Sequence, residues 1–459
     1  MIFALKLPLA MVLLACLAVF TPAAQEPPRG APSPNVLIFY LDDMGWGQPS
    51  CYGGRLVPTP AMDTLAAHGV RFTEGYSSGC ICSPGRVGLM TGRYQARSGH
   101  DANATGPGRE LVLSEKIMPQ YFKEAGYATG IIGKWHLGMT APEYFPAARG
   151  FDIALGTVGN LGEGKGPAFY RGAELANDFP GAPITSPRYA AEACRFLEDH
   201  QQHPFLLYLS FNAVHSPVVA SPKWLSRFAE LPEREQAYAA LVAEADEAIG
   251  TVMDKLRDLH LEENTLVFCI SDNGGASPLA EQLGLRGRKW TVWEGGIRVT
   301  WMVQWKGHFP PGRIAHEPVI QLDVLPTILK ACAPGSSIPQ ALDGVNLLPL
   351  LEGKTTQVDR QALFFRFGVQ YAIRQRDWKL VKASQAMQPM LVNLSQDPSE
   401  TTDLSTSYPE KTAELQRLWD RWNSEMLPPR WEDRRWNDGN LSPPAERKKA
   451  KRRQAEKRK

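Results

Sequence analysis

The chain has 459 residues, 43% apolar and 21% charged, with a net charge of +2. That composition belongs to a globular protein rather than a disordered one, and the length allows a sizeable core and two domains. The charge is uneven: residues 446–459 carry nine Lys/Arg against two Glu, which leaves the rest of the chain at −5, an acidic body that argues against nucleic acid as a partner.

Lys6 precedes an apolar run over 7–20 and the small residues Thr21-Pro22-Ala23-Ala24, so 1–24 reads as a signal peptide and the protein as secreted or periplasmic. Leu14-Ala15-Cys16 offers a lipoprotein box as the alternative, but the apolar run continues past it. Residues 25–34 form a proline-containing linker, and no later stretch is long and apolar enough to span a bilayer.

The continuous apolar run over 35–41 predicts a strand buried on both faces, stopping at Asp42-Asp43. Adjacent carboxylates at a strand's carboxyl end repel unless a cation joins them, though on their own they equally fit a turn before Gly45 and Gly47. Thr59-Pro60 begins a helix that Gly69 ends. In Cys82-Ser83-Pro84-Gly85-Arg86, followed by Thr91-Gly92-Arg93, Pro84 suits a first helical turn and leaves Cys82 at the helix mouth. Free N–H groups there favour an anion, and Arg86 adds a planar cationic donor. A buried cysteine before a helix is the plain alternative.

A helix is predicted over 113–125, closed by Gly126, then a strand over 128–132 running into Gly133-Lys134-Trp135-His136-Leu137-Gly138. On an extended segment Lys134 and His136 share a face, and a cation beside an imidazole suits an anionic substrate and a proton transfer. Residues 156–185, rich in Gly, Pro and Asn, read as a long surface loop that shapes a pocket. A helix over 187–200 and a buried strand over 204–211 lead to His215, a candidate acid or base. A long helix over 232–259 and a strand over 265–270 precede Asp272-Asn273, whose oxygens are hard ligands suited to Ca²⁺ or Mg²⁺. Arg288-Lys289 and Glu294-Gly295-Gly296-Ile297-Arg298-Val299 follow.

Further on come a helix over 321–332, strands over 361–381 and 391–394, and a helix over 409–426. Strands followed by one helix predict a small C-terminal α+β domain with an antiparallel sheet. The predicted division is therefore a catalytic domain over 35–355, the α+β domain over 356–430, and a Pro/Trp-rich, then basic, disordered tail over 431–459. Cys51, Cys80, Cys194, Cys269 and Cys332 are too scattered for a dense disulfide framework and leave room for one or two bridges.

Taken together, Asp42-Asp43, the Cys82–Arg93 stretch, Gly133–Gly138, Gly150-Phe151-Asp152, His215, Asp272-Asn273 and Lys289 with its Glu-Gly-Gly-x-Arg-Val resemble the type I sulfatases of the alkaline phosphatase superfamily, in particular the arylsulfatase A and N-acetylgalactosamine-6-sulfatase branch. The resemblance spans about 35–426. It implies an alkaline-phosphatase-like α/β sandwich with a central mixed sheet flanked by helices. It also implies a sulfuric ester hydrolase acting on a sulfated carbohydrate or aryl sulfate. It further implies that Cys82 becomes Cα-formylglycine through a formylglycine-generating enzyme, and that Asp42, Asp43, Asp272, Asn273 and the residue at 82 hold one Ca²⁺. By the same resemblance Arg86, Lys134 and Lys289 would neutralise sulfate, a hydroxyl of the aldehyde hydrate would attack sulfur, His215 with Lys289 would protonate the leaving alcohol, and His136 would take the second hydroxyl's proton as sulfate leaves.

Two positions depart from the family pattern: Gly85 replaces Ser or Ala, and Thr300 replaces the Pro after Arg-Val. A polar residue the family carries after Gly-Phe-Asp has no clear counterpart here, Asn160 being one candidate. The alternatives are a phosphonate monoester or phosphodiester hydrolase of the same superfamily, whose oxyanion has the same shape, and a non-catalytic binder of sulfated glycan. The basic tail suggests contact with an anionic polymer.

Overall fold

A computed structural model describes residues 33–161, 169–176, 182–338 and 341–436. The proposed signal peptide, most of the linker, part of the 156–185 loop and the basic tail lie outside the described residues.

The body is built on a ten-stranded sheet. In chain order its strands are β1 (Asn35–Leu41), β2 (Val70–Phe72), β4 (Ala128–Gly133), β5 (Ile153–Thr157), β6 (Phe169–Arg171), β7 (Glu174–Ala176), β8 (Phe205–Ser210), β9 (Thr265–Ser271), β10 (Trp301–Gln304) and β11 (Arg313–Ala315). They lie side by side in the order β11-β2-β10-β9-β1-β8-β4-β5-β6-β7. A two-stranded pair, β3 (Gly75–Tyr76) with β12 (Val319–Ile320), stands apart. From β9 to β5 neighbouring strands are parallel, while β10, β6 and β7 run antiparallel to their neighbours.

The run at 35–41 is wholly apolar after Asn35 because the strand feeds two cores. Val36, Ile38 and Tyr40 join one buried cluster with residues of α2 (Cys82–Thr91), α3 (Met118–Glu124) and α6 (Val324–Cys332). Leu37, Phe39 and Leu41 join the other, with α1 (Pro60–His68), α4 (Ser186–Asp199) and α5 (Glu233–Asp258). Helices thus cover both faces of a mixed sheet. The C-terminal region adds an antiparallel sheet, β13 (Leu363–Phe367), β14 (Gln370–Gln375), β15 (Trp378–Lys382) and β16 (Met390–Asn393), against α7 (Pro409–Ser424), with its own apolar cluster.

Several expectations need correction. The helix predicted over 113–125 spans only Met118–Glu124, because Pro119 has no N–H to donate to a carbonyl one turn earlier and its ring would clash there, so it is tolerated only in a first helical turn. The supposed loop at 156–185 contains β6 and β7. Residues 431–436, expected to be disordered, pack on the body: Trp431 Nε1 donates to Asn103 O at 3.1 Å, and Trp436 stacks edge-on against Phe367. The described cysteines Cys51, Cys80, Cys82, Cys194, Cys269 and Cys332 are all free. Cys51 Sγ, for instance, rests on Met302 Sδ at 3.9 Å.

Parallel pairing decides where the polar groups gather. Leu41 registers with Ser271, Tyr40 with Ser210, and Gly133 with Ser210. The segments beginning at Asp42, Asp272, Phe211 and Lys134 therefore leave the sheet at one edge, the carboxyl end, where open α/β sheets bind ligands.

Candidate active site

Cys82 opens α2 and is fully buried. Its Sγ lies 3.0 Å from Lys289 Nζ, 3.4 Å from Asp42 Oδ1 and 4.0 Å from Asp43 Oδ1. Lys289 Nζ also pairs with Asp43 Oδ1 at 2.6 Å, and Lys134 Nζ pairs with Asp42 Oδ2. Arg86 sits one turn into α2. Its Nη2 binds Asp272 Oδ2 at 2.9 Å, and its Nη1 donates to Ser210 Oγ at 2.5 Å and Lys134 O at 3.1 Å. Three carboxylates therefore face three cations, all buried.

These charges set one another's protonation. Burial alone would raise the Asp42 carboxyl, but Lys134, then His215, Arg86 and Lys289, hold it well below the usual carboxylate range. Burial and then the Asp42 charge push Asp272 up, against the pull of Arg86. Burial would lower Lys289, yet Asp43, Cys82 and Asp42 raise it, so it stays a cation. Burial and the Asp42 charge raise the Cys82 thiol well above its ordinary value, so the encoded side chain is a protonated thiol and a weak nucleophile.

Asn273 Nδ2 donates to Asp43 Oδ1 at 2.8 Å, while its own Oδ1 is buried without a hydrogen-bond partner. Ligating atoms of Asp42, Asp43, Cys82 and His215 all lie within 4.8 Å of one another. Asp272, expected among the metal ligands, stands beside them with Oδ2 on Arg86 and Oδ1 accepting the Asp43 N–H at 3.1 Å. Carboxylates beside an unpartnered amide oxygen fit a hard divalent cation.

His215 follows β8. Its Nδ1 lies 2.6 Å from Ser216 O, and its Nε2 faces Asp43 Oδ2 at 3.6 Å. Its side chain is 12% exposed, the most open of the group. Burial and then Lys289 lower its imidazole. The predicted alternation of Lys134 and His136 does not hold. β4 ends at Gly133, and His136 turns into the left-handed region at φ +59°. Burial, then Lys134 and Arg86, hold the His136 imidazole well below its usual value, and neither ring nitrogen has a partner.

Asn160, one candidate for the polar position after Gly-Phe-Asp, reaches the cluster: its Oδ1 accepts from Lys134 Nζ. Its only sequence signal is a Gly-Asn pair in a glycine-rich loop.

The sequence model of the Sulfatase family matches residues 34–333, and that of N-sulphoglucosamine sulphohydrolase, C-terminal, matches 287–425. Human N-acetylgalactosamine-6-sulfatase is 36% identical over 371 residues, covering 73% of this chain and 69% of the relative. Mouse steryl-sulfatase is 32% identical, covering 78% of this chain and 71% of the relative. The crystal structure of Ps i-CgsB in complex with k-i-k-neocarrahexaose superposes with a TM-score of 0.80 at 27% identity, covering 87% of this chain and 95% of that one. The phosphonate monoester hydrolase of Agrobacterium radiobacter shares the fold at a TM-score of 0.63 and 19% identity, over 86% of this chain and 96% of that one.

Proposed function

The chain belongs to the sulfatase family and is a sulfuric ester hydrolase; from that premise we propose that it removes sulfate from a sulfated carbohydrate, with residue 82 converted to Cα-formylglycine and one Ca²⁺ bound beside it. The observation that carries this reading is the setting of Cys82. A buried thiol pushed towards its inert protonated form stands 3.0 Å from Lys289 and 3.4 Å from Asp42, at the mouth of α2.

Asp42, Asp43, Asp272 and Asn273 would hold the cation, which supplies positive charge against the sulfate oxygens. A hydrated aldehyde at residue 82 would supply the attacking hydroxyl and a second hydroxyl through which sulfate could be released. The remaining work falls to encoded side chains. Arg86 is fixed through Asp272, Ser210 and the Lys134 carbonyl, so its charge is preorganised rather than recruited. Lys134 and Lys289 bind and orient the anion from either side. His215, on the open side, is placed to give a proton to the leaving alcohol, and the substrate's negative charge favours its imidazolium form. His136, with both nitrogens unpartnered, is free to take a proton from the residue at 82.

The carbohydrate assignment is supported by the relatives' names, N-acetylgalactosamine-6-sulfatase and the neocarrahexaose complex. Export through a leader at 1–24, and maturation by a formylglycine-generating enzyme, complete the proposal. Among the described residues no helix is long and apolar enough to cross a membrane.

The test is mass spectrometry of residue 82 after expression in a host that forms formylglycine, paired with sulfate release from a panel of sulfated mono- and oligosaccharides. Aldehyde at 82 with sulfate release from one or more sugars supports the reading. Faster cleavage of an aryl phosphate diester than of any sulfate ester would move the protein to the phosphodiesterase reading. Tight glycan binding with an unmodified thiol and no turnover would make it a binding protein.

A further inference from the structure

His136 presents a mechanical problem. A ring that makes no hydrogen bond through either nitrogen cannot be oriented by its own polar groups. Its backbone also sits at φ +59°, a left-handed region that few non-glycine residues occupy. Something must hold the peptide. On one side His136 N donates to Val158 O at 2.8 Å. On the other, the His136 carbonyl accepts from Ser83 Oγ at 2.7 Å.

Ser83 is the residue after Cys82, so this bond ties the first turn of α2 directly to the segment after β4. The hydroxyl has one proton and two lone pairs. The proton goes to His136 O, and Oγ accepts from Ala104 N at 3.3 Å. The remaining contact, His100 Nε2 at 2.8 Å, is then a donor, which fixes His100 as the Nε2–H tautomer. His100 is fully buried, and burial followed by the Arg430 charge lowers its imidazole to about 3, so it stays neutral.

The C-terminal segment holds His100 in turn. The Trp431 ring meets the His100 ring edge-on with centroids 4.8 Å apart, and Trp431 Nε1 donates to Asn103 O at 3.1 Å. Arg430 N donates to Gly99 O at 2.9 Å. Arg366 of β13 grips Asp101 at 2.9 Å and the Leu427 carbonyl at 2.7 Å. Asn103 Oδ1 accepts from Ser83 N at 3.1 Å, closing the ring of contacts on the same helical turn.

We infer that Ser83 and His100 are positioning residues for His136: the Ser83 hydroxyl, oriented by His100 Nε2–H under the Trp431 indole, holds His136 in its left-handed conformation beside residue 82. The inference rests on the proton-transfer role proposed for His136 and adds two residues outside the charged cluster.

The experiment compares Ser83→Ala, His100→Phe, His100→Asn and His100→Gln with the parent. It scores kcat per aldehyde-bearing molecule and KM on 4-nitrophenyl sulfate, melting temperature, and a crystal structure of Ser83→Ala. A glutamine amide reaches the place of Nε2, whereas an asparagine amide reaches that of Nδ1, so loss of packing alone does not separate the two. Ser83→Ala, His100→Phe and His100→Asn should lower kcat about 10- to 100-fold with KM within about 3-fold, as expected for a displaced proton acceptor. His100→Gln should keep kcat within about 3-fold of the parent on the same reasoning. In the Ser83→Ala crystal structure His136 should leave the left-handed region. An unchanged His136 conformation in that structure, or equal kcat for Gln and Asn at position 100, overturns the inference. The crystal structure decides it even where the parent hydrolyses no sulfate ester, an outcome that would count against the proposed function alone.

Discussion

The backbone of Gly85 lies directly against that of Asp272: a Cβ at position 85 would stand 2.5 Å from the Asp272 carbonyl oxygen and 3.1 Å from Ser77 Oγ. That carbonyl also accepts the Ser77 hydroxyl at 2.5 Å. The departure from the family's Ser or Ala at this position is thus a close approach between α2 and the Asp272 turn. Gly85→Ala should force the two apart and cost about 1–3 kcal/mol, as overpacking does in a filled core. Thermal melts of the variant check this, and an unchanged midpoint would show that the contact has slack.

Cys82→Ala should release no sulfate and yet keep its fold, because the side chain is small and the loss is about 1 kcal/mol or less. Circular dichroism and a melt of the variant, beside its turnover, separate the two outcomes. Residual turnover at the parent's rate would remove residue 82 from the chemistry.

Calcium should raise the melting temperature of the parent, and a chelator should reverse the rise. A ligand at 100 times its Kd stabilises by about 2.7 kcal/mol. Asn273→Ala, which deletes the unpartnered buried oxygen, should shrink that rise. Equal calcium responses in parent and variant would take Asn273 out of the ligand set.

Lys379 of β15 is fully buried between Glu294 and Glu400, 2.8 Å from each. Burial would raise Glu294, but Lys379 and then Arg374 hold it near 2, while burial raises Glu400 to about 7, with Glu294 also raising it against the pull of Lys379. Lys379→Met leaves two carboxylates buried without their shared cation, a loss of about 3–5 kcal/mol. Glu400, already raised, loses the cation that pulled it down and rises further, so the variant should fall further behind the parent as pH climbs from the ordinary carboxylate range through the Glu400 value. Adding Glu400→Gln should recover part of the loss. Melts at pH 5 and 8 test the sign.

His100 gives a second pH signature. Its folded value near 3 lies below the ordinary 6.5. The unfolded chain therefore binds a proton that the folded chain refuses between those limits. Its contribution is complete above about pH 6.5 and falls by about 1.4 kcal/mol per unit down to about pH 3. Asp101 and Asp246, both raised to about 6 by burial, act in the opposite sense as pH falls. Denaturant melts of the parent and His100→Gln across pH 4–7 isolate the histidine as the difference of slopes. Parallel curves would mean that His100 is not held neutral.

Much of the site was legible because buried parallel strands announce themselves as unbroken apolar runs, and the charges that interrupt them fall at one edge. Asp42, Asp272 and Lys134 are each such an interruption. What escaped has no local signature. β2 and β11 are three residues long and take their identity from their neighbours. Asn160 reaches Lys134 from a loop. The periodicity argument for Lys134 and His136 failed because it assumed extended backbone, and φ at His136 is positive. Lys379 with Glu294 joins residues 85 positions apart, a pairing that only the folded chain reveals.

The clasp formed by Leu427, Arg430 and Trp431 on the loop beside Cys82 also imposes an order in time. A ribosome adding about 5–20 residues per second reaches Trp431 tens of seconds after Cys82. Until then Gly99, His100 and Asn103 lack their covering partners, and in the folded chain the Cys82 thiol is fully buried. An enzyme that converts residue 82, as proposed above, would work against that clock.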